Sequence, residues 1–223
     1  MKQLMPNSIA DVVYQKLKKR IITGKLRLGQ KVLDADFVDE FKVSKTPIRE
    51  ALLKLKTEGL IEVLPRSGTF VFKFSEEDLR ALCDTRLIIE EGALRKCFQS
   101  NNIKLLAELS QNLKRQGELI ERDDFSEYLN IDREFHDIFF ALANNPYLEQ
   151  SYRIIFDKIN VLRNYLLLTK EFMTHSIGAH TAIVDYLMQD DIDNACARLK
   201  KHIYGTFNRD YLTHLNMLSH KNG

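Results

Sequence analysis

Ten residues, Val43-Ser44-Lys45-Thr46-Pro47-Ile48-Arg49-Glu50-Ala51-Leu52, constrain this chain more than any others. A polar residue before a proline marks a helix start, because the N–H that proline lacks has no intrahelical partner there. Thr46 is accordingly the expected cap and Pro47 the expected first position. Apolar Ile48, Leu52 and Leu55 then recur at helical spacing up to a stop at Glu58-Gly59-Leu60. Such a helix is apolar along one side and cationic at its N-terminal turn. That shape and charge suit the major groove of DNA.

The flanking residues supply the rest of a small domain. Ser8 can cap a first helix in which Ile9, Val12, Val13, Leu17 and Ile21 repeat before Gly24. A turn at Leu28-Gly29 leads to a short helix over about 35–41, and the helix just described runs over about 45–58. Two β-prone pieces, 61–64 and 69–72, flank the hairpin-like turn Pro65-Arg66-Ser67-Gly68. Three helices and a short two-stranded wing make a winged helix-turn-helix over residues 1–73.

After Lys73 the strand signals vanish. Helical periodicity runs over about 76–99, 102–122, 125–143, 147–170, 172–190 and 192–214, broken by polar pieces such as Ser100-Asn101-Asn102 and Asn144-Asn145-Pro146. The expected fold class is mainly α, with the winged helix-turn-helix followed by an antiparallel bundle of about six helices over 74–223. The formal charge of +2 conceals a polarity, since residues 1–73 carry +7 and residues 74–223 carry −5. Only the first part is suited to a polyanion. Cys83, Cys97 and Cys196 are odd in number, widely spaced and in apolar helical contexts, which fits buried reduced thiols. The N-terminus lacks the apolar run of a secretory signal, and Tyr165-Leu166-Leu167-Leu168 is too short to span a bilayer. A cytoplasmic setting with no membrane partner is the expectation.

Within the first domain, Arg49 is the foremost candidate for base readout, because a guanidinium can pair bidentately with guanine O6 and N7. Lys45, four residues earlier on the same face, can read a base or hold a phosphate. Ser44 and Thr46, with the helix N-terminal amides, suit phosphate contacts. Arg66 and Gly68 place a cation and a slim backbone at the wing tip, where the minor groove is reached. Any one of these cations alone could be an ordinary solvated side chain. The ordered set is what points to double-stranded DNA.

Residues Val43 to Leu52, with Leu55, Glu58-Gly59-Leu60 and Arg66-Ser67-Gly68-Thr69-Phe70-Val71, resemble the GntR-type bacterial transcriptional regulators. The resemblance implies a homodimer on a short palindromic operator, a repressor more than an activator, and no enzymatic activity. Ala35 stands where many members carry a longer polar residue, and Lys45 replaces a commoner arginine, which weakens bidentate reading there.

In the second domain, Asp132 and His136 lie at i and i+4, so one helix face can present both to a single ion. His180 and His202 fall in the last two helices. Three imidazoles and a carboxylate suit a divalent metal such as zinc, nickel, manganese or iron, although a histidine on a helix is more often a surface or core residue. Arg86-Leu87-Ile88-Ile89-Glu90, Asp132 to His136, Asn145-Pro146 and the interval from His180 to His202 resemble the FadR-type helical ligand domain, the FCD domain. That resemblance implies a metal, zinc foremost, on Asp132, His136, His180 and His202. It also implies a small carboxylate effector held at the metal with help from Arg86. An ion pair between Arg86 and Glu90 at i+4 is the equal alternative. Asp190 stands where a glycine is usual, and His175, His214 and His220 match no site. Two other readings are a helical-bundle metalloenzyme with Glu134 as base and a purely structural metal. Against the first, Glu134 points away from the Asp132–His136 face.

Overall fold

The computed structural model describes residues 8–164 and 169–206. Eight helices and a small sheet run in the order α1 (Ile9–Ile22), β1 (Lys31–Val32), α2 (Asp34–Phe41), α3 (Lys45–Thr57), β2 (Ile61–Leu64), β3 (Gly68–Val71), α4 (Glu76–Glu121), α5 (Phe125–Ala143), α6 (Pro146–Asn164), α7 (Lys170–Met188) and α8 (Ile192–Thr206). Two compact units result: residues 8–75 with 157–164, and residues 76–156 with 169–206. Among the described residues no helix is long and apolar enough to cross a membrane.

In the first unit, Ser8 caps α1 as expected. Its hydroxyl accepts from the Asp11 N–H at 3.1 Å while the Asp11 carboxylate accepts from the Ser8 N–H at 3.2 Å. The apolar faces of α1 and α3 (Val13, Leu17 and Ile21; Ile48, Leu52 and Leu55) are buried with Phe37 of α2. At the end of α3 the Leu60 N–H bonds the Leu55 carbonyl and the Gly59 N–H bonds the Lys56 carbonyl, both at 2.9 Å. Gly59 takes the left-handed conformation this stop requires, φ 67°.

Three expectations need correction here. Ser44, not Thr46, is the N-cap of α3, and its hydroxyl makes no capping bond. Pro47 sits third in the helix, still within the first turn, where a missing N–H costs no hydrogen bond. The wing has three strands, in the antiparallel order β1-β3-β2, with Lys31 opposite Phe70 and Val32 opposite Thr69. β1 is only two residues long, too short to leave an alternating pattern. β3 begins at Gly68, paired with Leu64, and ends at Val71: the Phe72 N–H still bonds the Leu60 carbonyl at 3.2 Å in the same register, but the Leu60 N–H is taken by the Leu55 carbonyl and cannot return the bond.

The second unit is all helix. The expected break near residue 101 is a non-helical Asn101 (φ −158°, ψ 47°) inside α4. Asn144 ends α5 in a left-handed conformation, φ 48°, and Pro146 opens α6. Thr169 caps α7 by accepting from the Phe172 N–H at 3.1 Å, so the helix expected to reach 170 cannot do so. Residues 165–168 and 207–223, including the expected end of the last helix, His214 and His220, lie outside the described residues. Asp190 follows α7 with φ 61°. Its N–H bonds the Leu187 carbonyl at 3.2 Å and the Asp191 N–H bonds that of Tyr186 at 2.9 Å, the helix stop in which glycine is the usual occupant. Asp191 then caps α8 through the Asn194 N–H at 3.1 Å. Leu94 and Leu105 of α4, Phe135 and Phe139 of α5, Ile183 of α7 and Leu199 of α8 are fully buried in this unit.

Candidate functional site

The first unit carries an exposed cationic set. Ser44, Lys45, Thr46 and Arg49 on α3, and Arg66 on the wing, are all exposed, and Gly68 is half-buried. Arg49 Nε donates to Asp34 Oδ2 at 2.9 Å, with 70% of the arginine side chain still exposed. An exposed pair of this kind contributes about 0–1 kcal/mol and is readily exchanged for a phosphate or a base edge. At the wing tip the Ser67 N–H closes the turn onto the Leu64 carbonyl at 3.1 Å, leaving Arg66 at the apex with φ 62°. Gly68 has φ 117°, and a Cβ there would stand 3.1 Å from Lys31 Cε of the neighbouring strand. A side chain at Gly68 would therefore have to displace the Lys31 side chain.

The second unit buries a polar cluster that sequence reading only partly assembled. Its members come as i, i+4 pairs from four helix faces: Arg86 and Glu90, then Asn112 and Gln116, from α4; Asp132 and His136 from α5; Ser176 and His180 from α7. His202 joins from α8. All nine are buried. His136, His180 and His202 offer ring nitrogens that all lie within 4.8 Å of one another. Asp132 sits at the edge, its Oδ1 accepting from Ser176 Oγ at 2.8 Å and lying 3.8 Å from His180 Nε2. Phe135 stacks flat on His180, ring centroids 3.9 Å apart.

The hydrogen bonds orient these rings. The Glu90 carboxylate accepts from Arg86 Nε at 2.6 Å through Oε1, and Oε2 lies 2.8 Å from His136 Nδ1. The ion pair weighed for Arg86 is thus present. Burial works against the Arg86 charge, and the neighbouring Glu90 carboxylate overrides it, raising the guanidinium above its ordinary value. Arg86 Nη2 donates to His136 Nε2 at 3.1 Å, so that nitrogen must accept and Nδ1 must be the N–H facing Glu90. Burial, then the neighbouring His180 and His136, hold His202 well below the usual imidazole range. A neutral imidazole is the form that ligates metals.

The residues fit a metal by their spacing. His180 Nε2 and His202 Nε2 are 3.2 Å apart. Two nitrogens bound to one tetrahedral zinc at about 2.0–2.1 Å stand about 3.3–3.4 Å from each other. A carboxylate behind His136 and an amide oxygen behind His180 supply the outer partners that ligating imidazoles commonly have. Glu134, by contrast, pairs with Arg115 at 2.6 Å, both about half exposed. His175 is exposed. Glu90, Asn112, Gln116, Tyr128 and Ser176 were not expected as site residues. Their signal was polar residues recurring at four-residue intervals on otherwise apolar helix faces.

The FCD domain model matches residues 81–205, and the model for bacterial regulatory proteins of the gntR family matches residues 9–71. The chain belongs to the GntR family. It is a DNA-binding transcriptional regulator with an FCD domain, and not an enzyme. This GntR regulator is 25% identical over 196 residues to an uncharacterized HTH-type transcriptional regulator in an unstable DNA locus of Streptomyces ambofaciens, covering 87% of this chain and 82% of that one. It is 29% identical over 143 residues to the HTH-type transcriptional repressor RspR of Escherichia coli, covering 64% and 63%. The solved structure of E. coli McbR/YncC matches it with a TM-score of 0.69 at 20% identity, covering 95% and 99%. At that identity the likeness is one of fold.

Proposed function

We propose that this GntR regulator is a cytoplasmic repressor that binds a palindromic operator as a homodimer, and that a small carboxylate held at a divalent metal sets its operator affinity. Residues 1–73 form the DNA-reading domain, and residues 74–223 the effector and dimerisation domain. Arg49 and Lys45 read bases, Ser44, Thr46 and the first-turn amides of α3 hold phosphates, and Arg66 with Gly68 reaches the minor groove. A two-fold axis would set two recognition helices about one helical turn of DNA apart.

The observation that carries the sensing half is the buried meeting of His136, His180 and His202 with Asp132 beside it. These four residues would hold the metal, zinc foremost, with nickel, manganese or iron as alternatives. Bound there, the metal supplies Lewis-acid attraction for a carboxylate. His136 Nε2 has one lone pair, now taken by an Arg86 N–H. A metal held through that nitrogen would take its lone pair in place of the Arg86 N–H, and Arg86 Nη2 could then donate to an anion with Nε still on Glu90. The effector acts by binding one arrangement of the regulator better than another. Repression is favoured by the name of the RspR relative.

The test is metal analysis of the purified chain, with melting curves against a panel of small mono- and dicarboxylic acids with and without chelator. The wild type should hold one metal per chain and be stabilised by one acid only when the metal is present. His180→Ala with His202→Ala should lose both and keep operator binding. Wild-type metal content in that double variant would overturn the centre. A metal that stabilises the protein with no acid response would make it structural.

A further inference from the structure

Gln116 is fully buried beside His180, is uncharged, and is not a ligand candidate. Its orientation follows from a group that has no freedom. The Ile131 carbonyl can only accept, and Asn112 Nδ2 donates to it at 3.0 Å. That turns Asn112 Oδ1 towards Gln116, whose Nε2 donates to it at 2.6 Å. Gln116 Oε1 is therefore the atom facing His180 Nδ1, at 3.1 Å. The Tyr128 hydroxyl, with one proton to share, lies 3.2 Å from the same oxygen and 3.0 Å from the Met173 carbonyl.

An amide oxygen cannot donate, so His180 Nδ1 must carry the proton. A neutral imidazole has a single N–H, and the lone pair falls on Nε2, the atom 3.2 Å from His202 Nε2. We infer that Gln116 is a positioning residue: through a relay anchored on the Ile131 carbonyl it fixes the tautomer of His180, making Nε2 the ligating nitrogen. This rests on the metal-centre reading above. The relay does for His180 what the Glu90 carboxylate does for His136, but without adding another buried carboxylate beside Glu90 and Asp132. It also ties α4, α5 and α7 together, so the orientation of His180 depends on the packing of α4, which supplies no ligand of its own.

The experiment begins with the wild-type chain in chelator. A long-range proton–nitrogen-15 correlation spectrum should show His180 protonated at Nδ1. Gln116→Met keeps the volume and removes the acceptor. It should lose that tautomer preference and bind zinc about 10- to 100-fold more weakly. Gln116→Glu is the conservative control, because a carboxyl oxygen still accepts from His180 Nδ1. It should stay within about threefold of wild type. A purely structural role for Gln116 would lower the melting temperature without moving the tautomer. Wild-type His180 protonated at Nε2, or wild-type zinc affinity in Gln116→Met, would overturn the inference. Should Gln116→Met fail to fold, the wild-type spectrum and Gln116→Glu still decide. Should the wild type bind no metal, the metal reading falls, and the spectrum still judges the relay.

Discussion

Arg66 holds its place at the wing apex in a left-handed backbone conformation, φ 62°, that costs an ordinary side chain roughly 1–2 kcal/mol and a glycine almost nothing. A cation kept at such a position is better explained by what it touches outside the chain than by folding. Arg66→Gly should therefore raise stability by about 0.5–1 kcal/mol in denaturant unfolding while weakening operator binding in a gel-shift or anisotropy titration. Unchanged operator affinity in that variant would remove Arg66 from the DNA-reading set. At this scale the sequence was uneven. His136, His180 and His202, which the structure brings together, were legible because imidazoles are few and their spacing informative. Asn112 and Gln116 were not, because an amide has no motif and acquires a role only when three helices meet around it. Glu90 lay between, visible as the i+4 partner of Arg86 but not as a partner of His136 from another helix.

Helix ends carry much of the architecture. Among the described residues, α2, α4, α5 and α7 are each followed within two residues by a non-glycine residue with positive φ: Lys42, Asp123, Asn144 and Asp190. Asp190 stands at a stop with both hydrogen bonds of the glycine-ended motif. Asp190→Gly should stabilise the chain by about 1 kcal/mol, seen as a raised melting temperature with metal and operator binding unchanged. A loss of stability would mean that the Asp190 side chain contributes something the backbone does not reveal. The order and type of elements were legible because periodicity is strong in both halves. What escaped was short or terminal: a two-residue strand, a cap displaced from Thr46 to Ser44, and a β3 that starts one residue early. These are decided by hydrogen bonds across the chain, which one segment's pattern does not contain.

Over the whole molecule the division of charge follows the division of labour, with the excess of Lys and Arg in residues 1–73 and the excess of Asp and Glu after them. The three cysteines take no part in either site. Burial pushes the Cys97 thiol up to about 12 and those of Cys83 and Cys196 to about 11. At pH 8 a thiol of pKa 11 is ionised to roughly one part in a thousand. Native protein should therefore react hardly at all with a thiol-disulfide reagent at that pH, and denatured protein should release three equivalents. Rapid labelling of any one cysteine in the native chain would contradict the packing of α4 or α8. The chain has no tryptophan, so it has no native indole fluorescence to report on its interior. The flat contact of Phe135 on His180 offers a substitute. Circulating electrons in the phenyl ring shield the imidazole protons beneath it, drawing the His180 resonances upfield of those from exposed His175. The ring at the heart of the cluster is thereby legible in an ordinary proton spectrum of the intact regulator, without a label or a substitution.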